Sequence, residues 1–140
     1  MVTRLSDSEL QHAEELLGDY APARAATILL KQHDGNLETS LEELVVVEAG
    51  AAAYGEERKK LREVFLRNLR REICGDDSFL TKVEEFNKSP TKATLLTGLI
   101  VYAVDLVTIP INPAIATIAV LWMLKLGVRT FCDYTEPEES

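Results

Sequence analysis

The sequence predicts an all-α protein, a bundle of six to seven helices, because three features favour helices joined by short turns. Glycine (7) and proline (5) are scarce, whereas an all-β protein needs more turn residues. Apolar residues recur at the helical spacing of three or four positions along much of the chain. Hydrophobic residues (46%) and charged residues (27%) are balanced as in globular proteins, so 140 residues can form a core. We expect a small N-terminal three-helix unit and a C-terminal hydrophobic helical hairpin.

Residues 1–49 are predicted to form the small three-helix unit. In "LSDSEL", Ser6 can cap the first helix while the Glu9 side chain bonds back to the cap amide. Pro22 suits the start of a second helix, and Asn36 can cap a third. The unit holds ten acidic and three basic residues, so it accounts for most of the net charge of −8.

Residues 50–135 are predicted to form a larger bundle, and 136–140 an acidic tail. The longest helix is expected from Ala51 to Cys74, where apolar residues recur every four positions at Leu61, Phe65, Leu69 and Ile73. A shorter helix follows, which Asp76 or Asp77 can cap.

The stretch "VTIPINPAIATI", residues 107–118, predicts the turn of an antiparallel hairpin. Pro110 ends one helix, and Asn112–Pro113 supplies a cap and a proline at the first helical position of the next. The pair Ser89–Pro90 is expected to open the first arm in the same way.

The hairpin is apolar enough to raise the question of a membrane. A spanning helix needs about 20 apolar residues, but Asp105 interrupts the first arm and Lys125 ends the second. We therefore favour a core hairpin of a soluble bundle, in which Asp105 bonds to Thr108, Thr117 or a helix end. The alternative is a membrane-anchored or membrane-active protein that inserts residues 90–129, and a second interpretation of Asp105 is a functional acid.

The sequence offers few groups for catalysis. His12 and His33 fall on different predicted helices without H-E-x-x-H or C-x-x-C spacing, and phosphate-binding and nucleophile motifs are missing. We predict no enzyme activity, no catalytic residue, no metal site and no cofactor. Cys74 and Cys132 are expected to be free thiols in a reducing compartment, and without a signal-peptide-like segment the predicted location is cytoplasmic.

One charged segment stands out. Residues 58–71 contain seven of the fifteen basic residues, interrupted by glutamates, which is typical of a solvated helix face with salt bridges. Docking of this face to an acidic surface, including the chain's own N-terminal third, is the alternative, with Arg62, Arg67 and Arg70 as candidate contacts. Nucleic acid is not expected, because the chain is acidic and no aromatic residues interleave the exposed basic face.

The stretch "LLGDYAPARAATILLKQHDGNLETSLEEL" resembles the ubiquitin-associated (UBA) type of three-helix domain over residues 7–48. Leu17, Gly18 and Tyr20 correspond to the loop after the first helix, and "GNLE" to the opening of the third. Asp19 is inserted in the loop relative to the family pattern, and Ser40 replaces the usual alanine.

The resemblance implies a small interaction module that binds a partner through Leu17, Gly18 and Tyr20 together with Leu44. Otherwise Leu17, Tyr20 and Leu44 close a three-helix core. Residues 51–140 are similar in general appearance to small helical adaptors, including effector-associated domains of bacterial signalling or defence systems. We therefore predict a non-enzymatic protein-interaction or adaptor module whose partner is another protein or a second copy. Val45–Val47 and Trp122 are further candidate contacts or core residues.

Overall fold

The computed structural model describes residues 3–49, 56–107, 111–127 and 130–132, and this part of the chain contains no β-strand. Its elements are seven α-helices and a short 3-10 helix: α1 (Asp7–Leu16), the 3-10 helix (Ala21–Ala23), α2 (Arg24–Gln32), α3 (Leu37–Ala49), α4 (Glu56–Ile73), α5 (Asp77–Lys88), α6 (Ala93–Leu106) and α7 (Pro113–Leu126). The predicted all-α class is confirmed. The predicted residues 51–55 of the long helix and the tail 136–140 lie outside the described residues.

The start of α1 has the predicted capping box. The Ser6 hydroxyl accepts a hydrogen bond from the Glu9 amide at 3.1 Å, and the Glu9 carboxylate accepts one from the Ser6 amide at 2.8 Å. Leu5 and Leu10, which flank the cap, are both buried. The local sequence therefore sets where α1 begins and which side faces the core.

The connection between α2 and α3 is fixed by the N-terminal segment of the chain. The Leu5 amide donates to the Gly35 carbonyl at 2.9 Å, and the Leu37 amide donates to the Thr3 carbonyl at 3.0 Å. Gly35 has φ +83°, and a Cβ atom there would clash with the Leu5 carbonyl. Glycine is needed for both reasons. Asn36 then caps α3 as predicted, accepting from the Thr39 amide at 3.0 Å.

The predicted hairpin is confirmed at the start of its second arm and corrected at the start of its first, while Pro110, the predicted end of the first arm, lies outside the described residues. Asn112 caps α7 by accepting from the Ile115 amide at 2.9 Å, and Pro113 is the first helical residue. The predicted opening at Ser89–Pro90 is wrong, since α6 begins at Ala93. The Ser89 amide still bonds to the end of α5, and its carbonyl accepts from the Lys92 amide, so these residues form a separate turn.

Helix α7 is the centre of the bundle. Ten consecutive residues, 114–123, are buried, and α7 packs against α2, α3, α6 and the 3-10 helix. Trp122 is fully buried, so it is a core residue rather than an exposed contact. Buried residues of the N-terminal helices and of the hairpin belong to one hydrophobic cluster.

Helices α6 and α7 are 14 residues long each, and among the described helices none has the length and apolar content to span a bilayer. Asp105 is exposed on α6. The predicted bond from Asp105 to Thr117 does not form, because the Thr117 hydroxyl donates to the Pro113 carbonyl at 2.7 Å. Thr108 lies outside the described residues.

The prediction of free thiols is wrong. Cys74 and Cys132 form a disulfide bond across a sequence separation of 58 residues, with their Cα atoms 6.1 Å apart. Spacing in sequence gave no sign of the pairing, because it depends on the end of α4 lying beside residues 130–132. The bond ties the end of α4 to residues 130–132, which follow α7 in the chain.

Candidate functional site

The candidate surface for binding a partner is a stripe of four exposed residues along α4. We call Lys60, Val64, Arg67 and Arg71 the α4 stripe. All four are exposed, and Val64 keeps 37% of its surface accessible. They span about 16 Å at 1.5 Å per residue, which is the length of three helical turns.

The stripe lies opposite the buried side of the same helix. At about 100° per residue, positions 60, 64, 67 and 71 fall within roughly 60° of one another on the helical wheel. Phe65, Leu69 and Ile73, which were predicted as the apolar face, are buried. The side chain of Leu61 lies outside the described residues. Packing of the apolar face against the bundle therefore turns three cations and one valine toward solvent.

The electrostatics of the α4 stripe contrast with those of the whole chain. Three of its four side chains are cations, and Glu63 is its exposed acidic neighbour, whereas the chain has a net charge of −8. The stripe therefore favours an acidic partner.

Two other predicted arginines lie at the inner edges of α4. Arg62 is partly buried and pairs with Glu42 of α3 at 2.9 Å, so part of the basic segment does bind the chain's own acidic third. Arg70 is partly buried, and within the described residues its Nε atom has no hydrogen-bond partner. Of the three predicted arginines, only Arg67 belongs to the exposed stripe.

The residues taken from the UBA resemblance lie mostly in the core. Leu17 is only 5% exposed, and Tyr20 and Leu44 are partly buried against the hydrophobic cluster. Gly18 is exposed. Helix α7 packs against the 3-10 helix and α3, which border this loop and contain Leu44. Whether residues 7–48 belong to that family stays a prediction, but Leu17 is not accessible to a partner in this arrangement.

A second surface feature is an apolar cleft that the sequence did not reveal. Its volume is about 150 Å³, and it is lined by Leu5, Glu9, His12, Ala13, Leu16, Phe86, Leu96, Leu121, Leu124 and Lys125. These residues come from five segments, so no sequence pattern could have found it. The cleft is large enough for one apolar side chain.

The rim of the cleft is already satisfied by internal contacts. Lys125 donates to both oxygens of Glu9, at 2.8 and 3.0 Å, and the His12 ring bonds to the Pro90 carbonyl at 3.0 Å. The hydrogen bond from Lys125, followed by that from the Ser6 amide, lowers the pKa of Glu9 below its ordinary value. A charged ligand would have to break the Glu9–Lys125 pair, so the α4 stripe is the better candidate.

The structure also shows where the other candidate residues from the sequence lie. His33 is partly buried and lies 2.8 Å from Glu43, while His12 is exposed. Within the described ranges, no three histidine, cysteine, aspartate or glutamate residues are grouped so that they could hold a metal ion. Val47 is 71% exposed, but Val45 is buried, so the valine run divides between surface and core.

The sequence predicted the basic segment, but the exposure of Val64 among its cations was not predicted. Once positions 65, 69 and 73 are assigned to the core, the helical wheel puts position 64 among the cations, and that signal was available in the sequence.

No protein-family model matches this chain, and neither does any curated protein or solved structure.

Proposed function

We propose that this protein is a non-enzymatic interaction module that docks an acidic helix of another protein on the α4 stripe. The observation that carries the proposal is the alignment of Lys60, Arg67 and Arg71 around the exposed Val64. A partner helix with carboxylates at three- and four-residue spacing would match the cations, and one apolar side chain would cover Val64.

Three features support this choice of surface. Leu17 is buried and Tyr20 is partly buried, so two of the three predicted loop contacts are not fully accessible to a partner. The cleft beside α1 has its rim charges paired within the chain. The α4 stripe combines an exposed apolar residue with cations, and opposite charges accelerate encounter and set orientation.

We place this activity in the cytoplasm, as the sequence analysis predicts. The disulfide removes one argument for that location. That argument assumed that both cysteines are free thiols, as is typical of a reducing compartment. In the cytoplasm a disulfide bond is normally transient, whereas in an oxidising compartment it persists.

The test is site-specific photo-crosslinking in the producing cells, with the photoreactive residue at position 64. The matched control is position 28, because Ile28 is 49% exposed on α2 between Arg24 and Lys31. Lys31 already pairs with Glu14 at 2.7 Å, so the exposed face formed by Arg24, Ile28 and Lys31 is less cationic than the α4 stripe. We expect position 64 to capture a discrete protein through an acidic segment, and position 28 not to do so.

The double variant Arg67→Glu with Arg71→Glu then tests the electrostatics. With the captured acidic segment as a synthetic peptide, we expect binding to weaken at least about tenfold, or about 1.4 kcal/mol. Arg24→Glu is the control and should bind as the wild type does. Identical capture at both positions, a crosslink only to a second copy of this chain, or binding that ignores charge and salt would overturn the proposal.

A further inference from the structure

We infer that the Cys74–Cys132 disulfide is a reversible redox site, and that its reduction by a dithiol releases residues 130–132 and uncovers Trp122. The inference is independent of the proposed docking surface, because it concerns the other end of α4 and needs no partner.

The position of the bond makes it accessible to a reductant. Cys74 continues α4, since its amide donates to the Arg70 carbonyl at 2.9 Å. Both cysteines are partly exposed, and Cys74 directly follows Ile73, the last residue of α4. Access is one of the conditions that decide whether a disulfide exchanges with external thiols.

The segment that the bond retains covers the central tryptophan. Phe131 is fully buried and contacts Trp122 edge to face, with ring centroids 5.9 Å apart and planes at 73°. The Phe131 amide donates to the Gly127 carbonyl at 2.8 Å. Phe131 thus fills the space beside a core residue from a short segment that lies outside the seven main helices.

A glycine stands where α7 ends. Gly127 has φ +89°, and a Cβ atom there would meet nothing within 4 Å. The positive φ favours glycine, because other residues rarely adopt it. The disulfide is a covalent link between this segment and α4, in addition to the contacts of Phe131.

The chemistry balances with a dithiol as the co-reactant. One thiolate of the dithiol attacks a sulfur of the Cys74–Cys132 bond and forms a mixed disulfide, and the second thiol displaces the remaining cysteine. Two electrons pass to the protein and two protons complete the thiols of Cys74 and Cys132. The dithiol leaves as its own disulfide.

Loss of the bond ends the tether between residue 132 and α4, so the effective concentration of Phe131 at its site falls. The seven main helices keep their other contacts. We therefore expect a local opening around Trp122, which an oxidant reverses.

The test uses the intrinsic fluorescence of Trp122, the only tryptophan of the chain. Emission maximum, acrylamide quenching and far-ultraviolet circular dichroism are measured before and after a dithiol, with thiol titration to follow the bond. We expect the emission to shift to longer wavelength and quenching to rise several-fold on reduction, with helix content retained and full recovery on reoxidation. The double variant Cys74→Ser with Cys132→Ser should give the reduced signals with or without dithiol.

Three outcomes would overturn the inference. Unchanged quenching in fully reduced protein would make the bond a passive link. Loss of helix on reduction, or failure of the double serine variant to fold, would make it a requirement of the whole fold. Two titratable thiols in protein denatured without reductant would show that the bond does not form. Phe131→Ala in the oxidised protein supplies the reference signal for an uncovered Trp122.

Discussion

The two arms of the hairpin, α6 and α7, have the same length and similarly apolar sequences, yet the bundle treats them differently. Helix α7 has ten consecutive buried residues, whereas α6 buries Leu96, Leu99, Ile100 and Ala103 and leaves Thr94, Gly98, Val101 and Asp105 exposed. Hydrophobic composition therefore does not determine which of two helices becomes the centre of a core.

The helices that pack against each arm explain why α7 is more buried than α6. Helix α7 is packed by α2, α3, α6 and the 3-10 helix, so it has partners around its circumference. Helix α6 packs against α5, α7 and α4 and keeps one side toward solvent. The small residues of α7, such as Ala116 and Ala119, let these neighbours approach closely, and both are buried. The exposed side of α6 holds Thr94 and Asp105 but also Val101, which is 43% exposed.

The largest expected effect comes from Trp122→Ala in α7. Removing a fully buried aromatic side chain costs about 3–5 kcal/mol through lost transfer energy and the cavity left behind. Urea unfolding followed by circular dichroism measures it. Val101→Ala in α6 is the control, because Val101 is 43% exposed and should change stability by no more than about 0.5 kcal/mol. Equal losses at the two sites would contradict the contrast between the arms.

Overpacking gives the next largest effect. Ala116 has no exposed surface, so Ala116→Leu forces a larger side chain between α7 and its neighbours and should destabilise by about 1–3 kcal/mol. The same unfolding experiment measures it. A leucine accepted at position 116 without loss would mean that the packing around α7 is loose.

Gly98→Ala in α6 should have the opposite sign. A Cβ atom at Gly98 would meet nothing within 4 Å, and alanine favours an α-helix over glycine by up to about 1 kcal/mol. We expect a small rise in thermal midpoint and in unfolding free energy. A loss of stability would indicate that another surface, such as a second copy, covers this side of α6; light scattering at two concentrations would detect it.

The charged residue of each arm supplies the smallest effect. Lys125 of α7 pairs with Glu9, and this lowers the pKa of Glu9 from 4.5. The folded-state pKa lies below the unfolded one, so the pair stabilises above pH 4.5, and this contribution is lost as pH falls through the depressed value.

Glu9→Gln isolates this pair, because glutamine still fits the capping box. The variant should be less stable than the wild type by less than about 1 kcal/mol near neutral pH, since the pair is near the surface. The difference should close in acid, as unfolding at several pH values would show. Asp105→Asn in α6, at an exposed site, is the control and should track the wild type. A gap for Glu9→Gln that persists at acid pH would point to lost packing instead.

Local signals in the sequence predicted where helices begin better than they predicted how the helices are arranged. Ser6, Asn36, Asp76 and Asn112 cap the helices that they were expected to cap, because a cap depends on residues within about three positions. The same reasoning failed at Pro90, where a serine and a proline lie in a turn after α5. A local pattern permits a helix start but does not oblige the chain to use it.

The candidate site shows the same division. The basic segment of α4 and its apolar face were readable from spacing, and Arg67 is exposed as a partner contact would need to be. Leu17 was expected at a binding surface, but it is buried in the cluster to which α7 also contributes. Burial of one segment depends on distant segments, which periodicity within that segment does not report.

The sequence by itself determined the helical class and the starts of α1, α3, α5 and α7, because these depend on capping, proline geometry and the helical period of apolar residues. Only the tertiary structure decided that α7 rather than α6 is central and that Cys74 bonds to Cys132. It alone paired Lys125 with Glu9. Each of these features depends on contacts between segments that are far apart in the chain. The free energy that stabilises such packing is shared among many contacts, and no single stretch of sequence contains them all.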